Sequence, residues 1–512
     1  MHSGQRRSDR FTIMMVAMIV AIPLLWPAVP PLLDLPSHMA SYKVAIDLEK
    51  SLMLQRYFAF DWHVIGNLGV DLLMMPLGYV FGVEIATKIV AVAVPTLTAV
   101  SFLLIARNIH GHIPSTAYTA VPIAYNYPFL FGFVNYSLSV AISLLGYNLW
   151  IIWTSNRRPF LRIAAFAAIA VIAWLSHAIG WIILGTLISS FEVYRRVNNG
   201  QPVARALLRA VLVCLPLLAP VPLNLLSPHS GGLSVYGFFQ PLSAAKWLLT
   251  LFRDRWMIFD LLSVGFVGMI FGLSMLRRLG LAIDWRLGWP AAAMFILFLI
   301  APESINDSFF VAARIAPYAA AIALLSISTA AVNHRAAATL MIACVGFMVV
   351  RLAANTVSFW LYDRDYQRQL TALEYVPKGG AVASFAGVPC RSGFTNWYNP
   401  RTYHLSGMAV VRREAFVNAT WSIPGLQLLR VHYKPAGVFA SDPSEMVYIG
   451  DCENGGQLTL EKALATLPLR AFDRLWLVHV PERRWPQNPR LRKIWSSGDS
   501  VMYAIQMSPG LS

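Results

Sequence analysis

The run Phe11-Thr-Ile-Met-Met-Val-Ala-Met-Ile-Val-Ala-Ile-Pro-Leu-Leu-Trp-Pro-Ala-Val-Pro-Pro-Leu-Leu33 ends abruptly at Asp34-Leu-Pro-Ser-His38. The apolar run is long enough to span a bilayer, and no small-residue cleavage site precedes Asp34. A polar stretch follows: Tyr42-Lys43, Asp47, Glu49, Lys50, Arg56, Asp61-Trp62-His63, Asn67 and Asp71. It is the densest group of titratable side chains in the first 150 residues. Pro36 opposes continuation of the preceding helix. A new helix is therefore expected from about Ser37, with His38 and Tyr42 on one face at i, i+4. A carboxylate held where membrane meets water can act as a general base toward a head group lying there. The same aspartate also reads as an ordinary helix cap.

Composition sets the frame. Of 512 residues, 57% are hydrophobic and only 13% charged, with mean hydropathy +0.56. Soluble domains carry about 25% charged residues, so most of this chain is solvated by lipid. The net charge of +16 does not point to nucleic acid. Its Arg and Lys fall in short loops between apolar runs, as the positive-inside rule requires, and no basic stripe with interleaved aromatics occurs.

Eleven apolar segments are expected, with the Arg6, Arg7 and Arg10 tail cytoplasmic. They run at about 11–33, 85–106, 115–131, 133–153, 161–175, 179–194, 206–226, 257–275, 287–301, 309–329 and 337–360. Residues 67–82 are apolar but short and hold Asp71 and Pro76, so a re-entrant or interfacial helix is expected. The count places the loop at 34–84 and everything after 360 on the external face. Residues 361–512 change character. Ala381-Val-Ala-Ser-Phe385, Leu475–Val480 and Val501–Gln506 read as strands, and 460–467 as a helix. The expected architecture is an α-helical polytopic membrane domain, 1–360, followed by a small α/β extramembrane domain, 361–512.

The segment ending in Asp-Leu-Pro-Ser-His38, the polar loop, Asn67-Leu-Gly-Val-Asp71 and Gly-Val-Glu84 together resemble the GT-C superfamily of polytopic glycosyltransferases. That resemblance extends over roughly 10–380 as architecture. It implies a sugar donor carried on polyprenyl phosphate and an essential acidic residue just after the first membrane helix, which maps to Asp34. Many members have two adjacent acidic residues there; this chain has Asp34-Leu35. It implies further a bacterial inner-membrane enzyme of inverting type, a periplasmic C-terminal domain, and an acceptor among cell-envelope glycans, lipids or proteins. A transporter or flippase of lipid-linked glycans and a non-catalytic envelope scaffold are the competing classes. The first calls for inverted repeats and polar groups at mid-bilayer, and neither is evident.

Site residues follow from chemistry. Asp34 is the candidate base. The leaving phosphate needs cations, and Lys43, Arg253 and Arg314 are candidates; Arg314 sits one turn into an apolar segment, where a cation is costly unless it faces a cavity or a partner. A structural pair of Arg314 with Glu303 or Asp307 is the alternative. His38, Tyr42, Asp61, Asn67 and Asp71 are candidates for lining the substrate pocket. No cofactor is certain; a divalent cation, if one binds, is assigned to Asp34 and His38. His177, Asn126 and Asn135 read first as helix–helix contacts. Cys214 and Cys344 read as core residues, while Cys390 and Cys452 are a disulfide candidate in an oxidising compartment. No Walker-type loop, GxGxxG or HExxH occurs.

Overall fold

A computed structural model describes residues 3–153, 158–228, 241–305, 308–389, 397–398, 400–450 and 458–506. The proposed Cys390–Cys452 pair lies outside them. Among the described residues, five helices are long and apolar enough to cross a membrane: Arg7–Leu25, Val83–His110, Pro159–Ser176, Met257–Met275 and the helical stretch His334–Tyr375. Gly69–Phe81, Trp285–Ile300 and Val311–Leu325 are shorter apolar helices. By these helices the chain is an integral membrane protein. Backbone polar groups cannot be left unpaired in hydrocarbon, so only such helices can span.

Three expected segments take a different form. The first helix is Ser3–Leu25, shifted toward the N-terminus, because Pro27, Pro30 and Pro31 each lack a donor for helical pairing. Residues 115–131 do not form one span. They break into two 3-10 turns, Ser115–Thr119 and Val121–Tyr125, and a short helix, Tyr127–Phe131. Pro122 and Pro128 open the second turn and the short helix. Residues 206–226 likewise divide into Val203–Cys214, Leu215–Leu218 and Val221–Leu226. Pro216 and Pro220 stand at the joints.

Contacts divide the chain into two compact units. The first holds residues 1–26, 64–70 and 90–358. In it, Val134–Ile152 packs on Ala178–Asn198, which packs in turn on Trp285–Ile300. Small residues permit this approach: a Cβ on Gly180 would stand 2.0 Å from the Ser139 hydroxyl oxygen. Ser139 Oγ donates to the Ala173 carbonyl at 2.6 Å, and Ser143 Oγ to that of Gly180 at 2.8 Å. Hydroxyls that satisfy carbonyls across helices are the usual cement in lipid. Cys214 and Cys344 are free thiols here.

The second unit holds residues 27–63, 71–89 and 359–512. Its centre is a six-stranded mixed sheet of β1 (Ala381–Pro389), β2 (Phe416–Val417), β3 (Met446–Ile449), β4 (Arg474–Val478), β5 (Leu491–Ser497) and β6 (Ser500–Ile505). The order is β5-β6-β4-β1-β2, with β3 also paired to β1. β1 pairs in parallel with β4, β2 and β3. Eight of its nine residues are buried, as a strand covered on both faces requires. Three strands were expected; β2, β3 and β5 were not, being short or only partly apolar.

The first-loop helix, Leu35–Asp47, belongs to this second unit. It starts two residues before the expected Ser37. Pro36 sits in its first turn, where the missing N–H costs nothing and φ is already helical. Ser37 Oγ donates to the Ala419 carbonyl at 2.6 Å. A Cβ on Gly407 would stand 2.5 Å from the Pro36 carbonyl oxygen. Only glycine lets the 404–407 turn lie this close to the helix start.

Candidate functional site

Asp34 is the N-cap residue of Leu35–Asp47 by position, yet its side chain makes no capping hydrogen bond. Its carbonyl accepts from the Ser37 and His38 amides at 3.1 and 3.2 Å, while the carboxylate turns to another partner. His404 Nε2 lies 3.5 Å from Asp34 Oδ1. The opposite ring nitrogen, Nδ1, stands 3.3 Å from Glu445 Oε1 and 3.9 Å from Asp442 Oδ1. Asp34 is 6% exposed, His404 3% and Glu445 0%. Three carboxylates thus converge on one buried imidazole.

Burial lowers the pKa of His404 below its ordinary value, against the opposing pull of Asp442 and of the Ala419 carbonyl. Burial, then the charges of Asp442 and Asp34, pushes Glu445 well above the usual carboxylate range. Neither Glu445 carboxylate oxygen nor His404 Nδ1 meets a hydrogen-bond partner. Such orphaned buried atoms are costly. A cation would satisfy them, and ligand atoms of His404, Asp442 and Glu445 lie within 4.8 Å of one another. One neutral imidazole with two carboxylates is a common donor set for zinc, manganese or iron. The donors therefore fit a divalent cation.

His38 is not in that ligand set. Its ring lies 4.9 Å from Trp421, and Trp421 lies 4.8 Å from His404. Tyr42, one turn on, stacks on His38 at 6.2 Å. Burial, then the nearby His404, lowers His38 to about 4, so its imidazole is neutral. Burial, then the charge of Asp71, raises Tyr42.

The other sequence candidates are dispersed. Lys43 pairs with Asp47 at 2.6 Å and Glu414 at 4.0 Å. It lines a cleft of about 520 Å³ with Lys50, Tyr79 and Glu84. Asp61 is largely exposed and lies 3.8 Å from Arg430. The Asn67 carbonyl accepts from Asn135 at 3.0 Å, and Asn135 accepts from the Val70 amide at 2.6 Å. Asp71 opens the helix Gly69–Phe81. In the first unit, Arg253 lies over the Tyr127 ring at 4.9 Å. Arg314 Nη1 meets His177 Nε2 at 2.9 Å, and its guanidinium lies 4.2 Å from the Phe133 ring centre. Asn126 accepts from the Phe129 amide at 3.1 Å.

Sequence reasoning missed His404, Trp421, Asp442 and Glu445. Their only local signal is the acidic pair three residues apart in Asp442-Pro-Ser-Glu445. Nothing in the sequence ties that pair to a lone histidine or to an aspartate some 400 residues upstream.

No family model matches the chain, and no curated protein matches it. Two solved structures of ArnT from Cupriavidus metallidurans are similar to it. One, bound to undecaprenyl phosphate, shares 12% identity over 96% of this chain and 97% of that one, with a TM-score of 0.48. The other, in the apo state, shares 10% identity over 98% of both chains, with a TM-score of 0.49. At this identity and score, neither likeness says what this chain does.

Proposed function

We propose that this chain is an inverting membrane glycosyltransferase. It moves a sugar from a polyprenyl-phosphate donor to a cell-envelope acceptor on the periplasmic face. The observation that carries the reading is Asp34. It is a buried carboxylate at a helix start, declines the capping bond and turns to a buried imidazole. A carboxylate kept from its easiest structural use and desolvated is suited to proton abstraction.

In the proposed reaction Asp34 takes the proton of an acceptor hydroxyl. The oxygen attacks the anomeric carbon from the face opposite the phosphate. The carbon–oxygen bond to the lipid phosphate breaks, and polyprenyl phosphate leaves with the electron pair. His404, Asp442 and Glu445 would hold a divalent cation, while Asp34 faces the other ring nitrogen of His404. When bound, such a cation would supply charge neutralisation for a departing phosphate. His404 in turn fixes the direction of the Asp34 carboxylate.

The test uses purified full-length protein in lipid nanodiscs, with a panel of polyprenyl-phosphate sugars that includes undecaprenyl derivatives and an envelope extract as acceptor. The expected result is a glycosylated product whose anomeric configuration is opposite to that of the donor. Retention of configuration overturns the single-displacement mechanism. No transfer from any donor by folded protein overturns the reading itself.

A further inference from the structure

We infer that Trp421 is the platform on which the pyranose ring of the donor rests. The proposal builds on the glycosyltransferase reading above. The indole lies between two imidazoles, 4.9 Å from His38 and 4.8 Å from His404, with ring planes tilted by 43° and 52°. Through His404 it is one side chain removed from Asp34, whose carboxylate is 3.5 Å from Nε2. Trp421 and His38 are each only partly covered, whereas Asp34, His404 and Glu445 are buried. Of the cluster's side chains, these two rings keep some contact with solvent.

The backbone around Trp421 is fastened on both sides. The Ala419 carbonyl accepts from Ser37 Oγ at 2.6 Å. The Thr420 carbonyl accepts from the Asp442 amide at 3.1 Å. Ser422 Oγ accepts from the Val431 amide at 3.1 Å. One anchor reaches the Asp34 helix and another reaches the acidic pair. The indole is thus held in register with the groups that do the chemistry, as a preorganised site requires. An amphipathic ring with an apolar C–H face and peripheral hydroxyls matches a rigid indole flanked by imidazole donors and acceptors. A phosphate, which needs cations, does not match it.

The experiment measures affinity for polyprenyl-phosphate sugar and for sugar-free polyprenyl phosphate in nanodiscs. It compares wild type with W421L, which keeps apolar bulk, and W421F, which keeps an aromatic face. Affinity for the sugar-bearing lipid is expected to fall about tenfold in W421L. Affinity for the sugar-free lipid stays unchanged, and W421F retains most of the sugar-dependent gain. An equal loss for both lipids in W421L shows a structural role and overturns the platform. So does a raised acceptor KM with donor affinity unmoved. If wild type distinguishes the two lipids and W421L does so equally well, the platform falls while the transferase reading stands. If wild type does not distinguish them, the platform falls, and the transferase reading is decided by the transfer assay alone.

Discussion

At the scale of single residues, the account turns on what each titratable group faces. Glu445 and His404 are buried with unmet polar atoms, and a bound cation is the proposed remedy. Metal analysis of purified protein is expected to find about one divalent ion per chain. Glu445→Gln and His404→Ala are each expected to lower its affinity by at least tenfold, a typical cost of losing one ligand. Equal metal content in all three proteins would contradict the assignment. A second cluster behaves differently. His479 lies 2.9 Å from Asp365 and 3.0 Å from Asp499. Burial opposes its charge, but the hydrogen bonds and charges of the two aspartates outweigh it and raise His479 to about 9. A raised folded-state pKa contributes stability that is fully present below the ordinary pKa of about 6.5 and is lost as pH rises through about 9. The melting temperature of wild type is therefore expected to fall between pH 7 and pH 10 more steeply than that of His479→Gln. Parallel curves would show that the clamp contributes nothing. Asp34 drew attention in the sequence because it ends an apolar run. His404 was not, because a lone histidine in a polar domain carries no period, spacing or motif.

At the scale of elements, two close approaches decide where side chains end up. The turn at 404–407 meets the first-loop helix through Gly407, whose missing Cβ leaves room for the Pro36 carbonyl. Gly407→Val is expected to displace His404 and to reduce sugar transfer by about a hundredfold, the order expected for an ångström-scale misplacement. Near-normal kcat in that variant would show that the turn does not position the site. The helices Val134–Ile152, Ala178–Asn198 and Met257–Met275 were readable as apolar runs. The stretch 115–131 was not. Its hydrophobicity matches a span, and its prolines turn it into three short pieces. The start of Leu35–Asp47 was misplaced for a related reason: Pro36 can end one helix or sit in the first turn of the next.

At the scale of the whole molecule, each unit carries its own polar chemistry. In the first unit, Arg351 Nη1 bonds Asp260 Oδ1 at 2.8 Å, and Nη2 bonds the Phe252 carbonyl at 3.0 Å. Both side chains are almost fully buried. Arg351→Met is expected to destabilise by about 3–5 kcal/mol, because it removes the cation from a buried carboxylate. The double variant Arg351→Met with Asp260→Leu is expected to recover most of that loss. Thermal unfolding in detergent checks both, and a double variant no better than the single would contradict the pairing argument. The second unit joins the loop after the first helix to the C-terminal sheet domain. The sequence reading placed both on one side of the membrane by counting crossings. It had no means of pairing residues so far apart in the chain, since long-range contacts leave no local pattern when they involve single polar side chains.

The most direct test of the central claim is release of polyprenyl phosphate from its sugar-bearing form, comparing wild type with Asp34→Asn in lipid nanodiscs. The isosteric amide keeps size and hydrogen-bonding capacity but cannot take a proton. The account predicts a fall in rate of about a thousandfold, with protein level and melting temperature unchanged. Release by Asp34→Asn at the wild-type rate would contradict the claim that Asp34 is the base.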